Sequence, residues 1–138
     1  MVGTVFEEIT LKNDGDVSNA RRGLIKESEV RQTTVQVVVD TGAATLVINE
    51  AVQKTLGLRI DREKESRLAN GEWVFCKVAE TVRVCWKDRS MTCEPWVLPG
   101  ADLILLGAIP LEDMDLMVDP KNLRLVGVHG DKELGMLL

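Results

Sequence analysis

The chain has 138 residues, a common length for one domain, and its 4% aromatic content with no Tyr leaves the core to Val, Leu, Ile and Met. Asp and Glu outnumber Lys and Arg 22 to 17, a formal charge of −5, which argues against a nucleic-acid partner and against attraction to an anionic membrane. No run approaches the ~18–20 apolar residues of a membrane span, and Met1-Val2-Gly3-Thr4 lacks the cationic start of a signal peptide. The cytoplasm is therefore the expected compartment.

Residues 3–11 alternate weakly and predict a strand. A polar stretch with Asn13-Asp14-Gly15 follows, and the charged region to about Arg31 reads as loop with a short turn of helix. Thr33 to Val39 is rich in β-branched residues and predicts a buried strand. Asn49 to Gly57 carries helix signals: Asn49 as N-cap, Glu50 in the first turn, Val52 and Leu56 four apart, and Gly57 as the stop.

Glu65–Leu68 and Trp73–Val84 are strand-like runs around Ala69-Asn70-Gly71. Asn-Gly between such runs signals a hairpin, because both residues of a two-residue turn take positive φ. Met91 to Leu98 is another strand, stopped by Pro99-Gly100, and Leu103 to Leu106 is an apolar run expected to be buried on both sides. Ile109 to Met114 predicts a short helix with Pro110 in its first turn. A last hairpin joins Leu116–Val118 to Leu123–Val126 through Asp119-Pro120-Lys121-Asn122, and the tail, 127–138, shows no pattern. About seven strands and two short helices, without βαβ alternation, make a mostly β single domain over residues 1–138.

Three cysteines at irregular spacing, Cys76, Cys85 and Cys93, do not form a disulfide framework and are expected to be reduced strand residues. His129 is the only histidine, so no zinc site assembles, and neither a metal nor a cofactor is expected.

The residues that carry chemistry are Asp40-Thr41-Gly42-Ala43, directly after the buried strand. Taken alone, an Asp at a strand end is as readily a plain turn residue. Three features add to it. Gly42 and Ala43 are small enough for a substrate and a second backbone to approach the carboxylate. The Asn70-Gly71 hairpin lies some thirty residues on and could cover a cleft. Ile104-Leu105-Leu106-Gly107-Ala108 offers a buried strand ending in glycine before a short helix.

This ordered set resembles the retropepsin-like aspartic proteases, over about residues 33–126, and the segments Leu105–Glu112 and Leu116–Pro120 look like those of small stand-alone microbial members. The resemblance implies a homodimeric acid-protease β-barrel. Asp40 would be the general acid/base, Thr41 would hydrogen-bond across the dimer axis, and the Gly42 N–H would support the carboxylate. Asn70, Gly71 and Trp73 would belong to the flap over a bound peptide, with Leu106 and Gly107 as structural support. Trp73 is equally read as a cover for the hairpin or core, and Gly107 as a position that lets the helix pack closely.

Peptide hydrolysis of this kind needs two carboxyls about 3 Å apart that share a proton. Only Asp40 has the strand and Thr-Gly context, so two-fold symmetry must supply the second. The expected substrate is a peptide or unfolded protein. Two alternatives stand beside this reading: a dimeric peptide- or protein-binding module on the same fold without proteolysis, and an unrelated small β-barrel.

Overall fold

The computed structural model describes residues 3–68 and 70–130. The first two strands, β1 (Val5–Asn13) and β2 (Gln32–Val39), form a long antiparallel pair in register from Val5↔Val39 to Lys12↔Gln32. Ile9 and Leu11 point inward from β1 and are fully buried, while Phe6 and Glu8 face out, the two-residue period of a strand with one buried face.

The connection between these strands is more ordered than its composition implies. It holds α1 (Asp14–Arg21) and a 3-10 turn, Glu27–Glu29. Asn13 caps α1: its Oδ1 accepts from the Asp16 amide at 3.1 Å, and its Nδ2 donates to the Leu56 carbonyl at 2.9 Å. The Asp16 carboxylate then receives Nε and Nη2 of Arg31 at 2.8 and 2.9 Å, folding the connection back on itself. The described residues thus contain three short α-helices, one more than expected, because a buried side-chain cap replaces the apolar periodicity that α1 lacks.

The remaining elements are β3 (Leu46–Ile48), α2 (Glu50–Thr55), β4 (Ile60–Arg67), β5 (Trp73–Ala79), β6 (Val82–Trp86), β7 (Arg89–Cys93), β8 (Trp96–Val97), β9 (Leu105–Leu106), α3 (Ala108–Asp113), β10 (Leu116–Asp119) and β11 (Arg124–Gly127). Nine strands share one sheet in the order β4-β5-β8-β3-β9-β2-β1-β6-β7, and β10 pairs with β11 separately. Val37, Leu46, Ile48, Leu56, Val84, Leu106 and Met114 meet in one apolar core.

Several expected strands break where the backbone cannot continue the ladder. The run Trp73–Val84 is two strands, parted at Glu80 and Thr81. Met91–Leu98 is also two, parted at Glu94-Pro95, where proline has no N–H to donate. The Leu103–Leu106 run is not buried throughout: Leu103 is 57% exposed, and only Leu105–Leu106 forms a strand. β4 is longer than its apolar content predicts. It is an edge strand whose charged side chains stay in water, which also protects the edge from pairing with another chain. Of the tail, residues 131–138 lie outside the described residues.

Candidate active site

The two-residue strand β9 positions the loop at Asp40. It runs parallel to β2, with Val38↔Leu105 and Val39↔Leu106, and antiparallel to β3, with Leu106↔Leu46 and Leu105↔Val47. The strands entering and leaving residues 40–45 are therefore held on either side of one short segment. Asp40 N donates to the Leu106 carbonyl at 3.0 Å, extending that pairing to the first residue of the loop. The chain then turns tightly, with Ala43 N on the Asp40 carbonyl at 3.1 Å.

The far side of the loop rests on α3. The carbonyls of Ala43 and Ala44 accept from Ala108 N and Ile109 N at 2.8 and 2.9 Å, giving partners to first-turn amides that have none within the helix. Gly107 makes this approach possible. A Cβ there would lie 2.5 Å from the Ala43 carbonyl oxygen and closer still to that of Thr45. Leu106, fully buried, pairs with both flanking strands.

Asp40 itself is half-buried, and its Oδ1 accepts from Gly42 N at 2.9 Å. Thr41 and Gly42 lie exposed at the surface of the loop. Beside them opens a cavity of about 380 Å³. The loop contributes Asp40, Gly42, Ala43, Ala44 and Thr45; Val47, Leu105, Trp96 and Leu98 form its floor; Ser66, Arg67, Leu68 and Cys76 reach it from the β4–β5 hairpin. Asp40 and Arg67 are the charged residues of that lining. Burial raises the Cys76 thiol above its ordinary value, so Cys76 is a neutral, apolar wall.

The hairpin differs from the Asn-Gly turn expected. Leu68 N donates to the Glu72 carbonyl at 2.7 Å and Gly71 N to the Leu68 carbonyl at 2.9 Å, so three residues, not two, span the tip. Asn70 acts through its side chain, whose Oδ1 accepts from Glu72 N at 2.9 Å, and Gly71 takes the left-handed conformation at φ 88°. Asn70 and Gly71 sit beyond the described cavity lining. Trp73 is also absent from it: the alternation that turns Cys76 inward turns Trp73 and Phe75 outward, 62% and 66% exposed. The Arg67 guanidinium lies 5.7 Å from the Trp73 ring centroid, so Trp73 covers the hairpin on its outer side.

Sequence reasoning missed Val47, Ser66, Arg67, Leu68, Cys76, Trp96 and Leu98. Val47 and Trp96 face each other through the parallel pairing of β3 and β8, a register with no local signal in the sequence. All three cysteines are free and lie in strands. Burial pushes the Cys93 thiol up to about 11, against an opposing hydrogen bond from Thr45 at the loop exit.

The sequence profile of the aspartyl protease family matches residues 27–118, two thirds of the chain and the whole of this site. The chain belongs to the aspartyl protease family. No curated protein matches its sequence. Among solved structures, the EIAV protease complexed with the inhibitor HBY-793 is similar at 22% identity and TM-score 0.52, over 82% of this chain and 88% of that one. The retroviral protease-like domain of Ddi1 from Leishmania major is similar at 14% identity and TM-score 0.59, over 100% and 97%. A retropepsin-like aspartic protease from Rickettsia conorii aligns at 19% identity and TM-score 0.44, over 85% and 88%. The first two of these likenesses establish the fold of this family member as the mostly β half-barrel of the retropepsin-like aspartic proteases, with few short helices.

Proposed function

We propose that this family member is an aspartic endopeptidase that works as a homodimer, with Asp40 and its two-fold mate as the catalytic pair. The observation that carries this is the placement of Asp40. Its carboxylate, held by the Gly42 N–H, stands at the lip of a largely apolar cavity bounded on the far side by a β-hairpin. One such carboxylate is half of the required chemistry. The exposure of Thr41 and Gly42 leaves the loop open to the same loop of a second chain.

In the dimer the pair holds one proton. The ionised carboxylate removes a proton from a water molecule as its oxygen attacks the scissile carbonyl carbon. The protonated carboxyl gives its proton to the carbonyl oxygen, forming a tetrahedral diol. The proton gained from water then passes to the departing amide nitrogen as the C–N bond breaks, and collapse of the diol returns one proton to the pair. In this scheme Thr41 ties the two loops across the axis. The hairpin tip at Asn70 and Gly71 closes over the peptide and excludes water. Trp73 stiffens the hairpin from outside rather than touching substrate. The peptide lies extended, held by backbone hydrogen bonds with alternate side chains in pockets.

The test is cleavage of a peptide library by wild type, Asp40→Asn and Asp40→Ala, with and without a statine-type transition-state analogue, alongside sedimentation. Cleavage that requires Asp40, is blocked by the analogue and comes from a dimer supports the reading. Cleavage surviving both the substitution and the analogue ends it, as does a monomer at micromolar concentration. The second reading, a dimer that binds peptides without cutting them, draws on the same cleft. It predicts binding by wild type without any turnover.

A further inference from the structure

Beside the cavity, whose own lining cation is Arg67, stands a second cation that hydrolysis does not require. In the β4–β5 ladder Lys64 stands directly opposite Cys76, so both project to the same face of the hairpin, the one lining the cavity. The Lys64 ammonium lies 5.2 Å from the centroid of the Trp96 ring, and Trp96 is part of the cavity floor. Neighbouring Arg62 is engaged by Asp61 and Glu94 at 2.8 and 3.1 Å. Lys64, among the described residues, makes no ion pair. Glu63 and Glu65 belong to the opposite face of β4 by alternation. The ring therefore fixes the ammonium against an apolar wall and leaves its other N–H groups for a ligand.

The register gives the lateral spacing from β2, the strand that ends at Asp40. Val38, two residues before Asp40, faces Leu105, which faces Val47, which faces Trp96. Three inter-strand steps of about 4.8 Å put Trp96 roughly 14 Å from Val38, about three or four residues of an extended peptide. Val47 and Leu105, lying between, are apolar.

We propose that Lys64, held over Trp96, selects peptides with an acidic side chain about three or four residues from the scissile bond and apolar residues between. This rests on the peptide cleft proposed above and gives it a substrate class. It predicts a preference in binding, before and apart from any bond breaking.

Full-length Asp40→Asn protein, expected to turn substrate over far more slowly than wild type, is titrated into fluorescein-labelled octapeptides of apolar and neutral residues. A single Glu, Gln or Lys is scanned along these peptides, and binding is read by anisotropy at low and high salt. At low salt the best Glu peptide should bind about five- to tenfold tighter than its Gln counterpart, and the difference should shrink as salt screens it. Adding Lys64→Gln should equalise the two peptides. Adding Lys64→Glu should favour the Lys peptide. Both changes fall on an exposed edge-strand position. Equal binding of Glu and Gln peptides, a Glu preference that survives Lys64→Gln, or no peptide binding overturns the proposal. Wild type that shows the Glu preference but cleaves none of these peptides overturns the protease reading and leaves this one standing.

Discussion

Gly107 is where a single methyl group meets the loop that carries Asp40. Because a Cβ would press on the backbone oxygens of Ala43 and Thr45, neither of which can rotate away, Gly107→Ala should cost about 1–3 kcal/mol. The check is a urea midpoint that falls with an unchanged slope. Asp40→Asn is expected to leave that midpoint near wild type and to lower kcat at least 10²–10⁴-fold, the usual scale for losing a positioned acid/base. Asp16 answers a different question. Its carboxyl lies below the ordinary 3.8, chiefly through the hydrogen bond from the Arg31 side chain, opposed by burial. A carboxyl lowered on folding stabilises the native state above its unfolded value near 4 and loses that contribution as pH falls through its folded value. The stability gap between wild type and Asp16→Asn should therefore be full at pH 6 and close below about pH 4; a gap constant down to pH 2 would contradict the pairing. Asp40 was legible in the sequence because Asp-Thr-Gly ends a β-branched strand and a Leu-Leu-Gly follows at distance. The side on which Trp73 lies was not. It depends on a three-residue tip that places Arg67, rather than Leu68, opposite it.

At the scale of elements, the strands with apolar alternation could be read from the sequence, and those defined by their partners could not. β9 has two residues, and its place between β2 and β3 is set by contacts some sixty residues apart in the chain. β4 is almost wholly exposed, so it lacks the pattern that marks a half-buried strand. α1 could be read only as a short turn for a related reason: its anchor is polar, through Asn13 and Asp16. The β4–β5 hairpin yields a prediction of its own. Gly71 at φ 88° is strained for any residue with a Cβ, so Gly71→Ala should destabilise the tip by about 1 kcal/mol. The tip lies outside the apolar core, so the loss should fall on kcat/KM more than on global unfolding. Equal losses in both would mean that the hairpin is part of the cooperative core and not a moving cover.

The molecule as a whole places one carboxylate at the exposed rim of its cleft, and the proposed chemistry needs two. A pair of carboxyls sharing one proton works on the acid side of neutral, where that singly protonated form is populated. The most direct test of the two-chain site fixes the amount of wild type, adds increasing Asp40→Asn protein, co-refolds the mixture and measures peptide cleavage. If each active centre needs Asp40 from both chains, a ninefold excess of the variant leaves only about a tenth of wild-type chains paired with one another, and the rate should fall about tenfold. A rate that stays level across the titration would mean that a single chain holds a complete site, and would contradict this account.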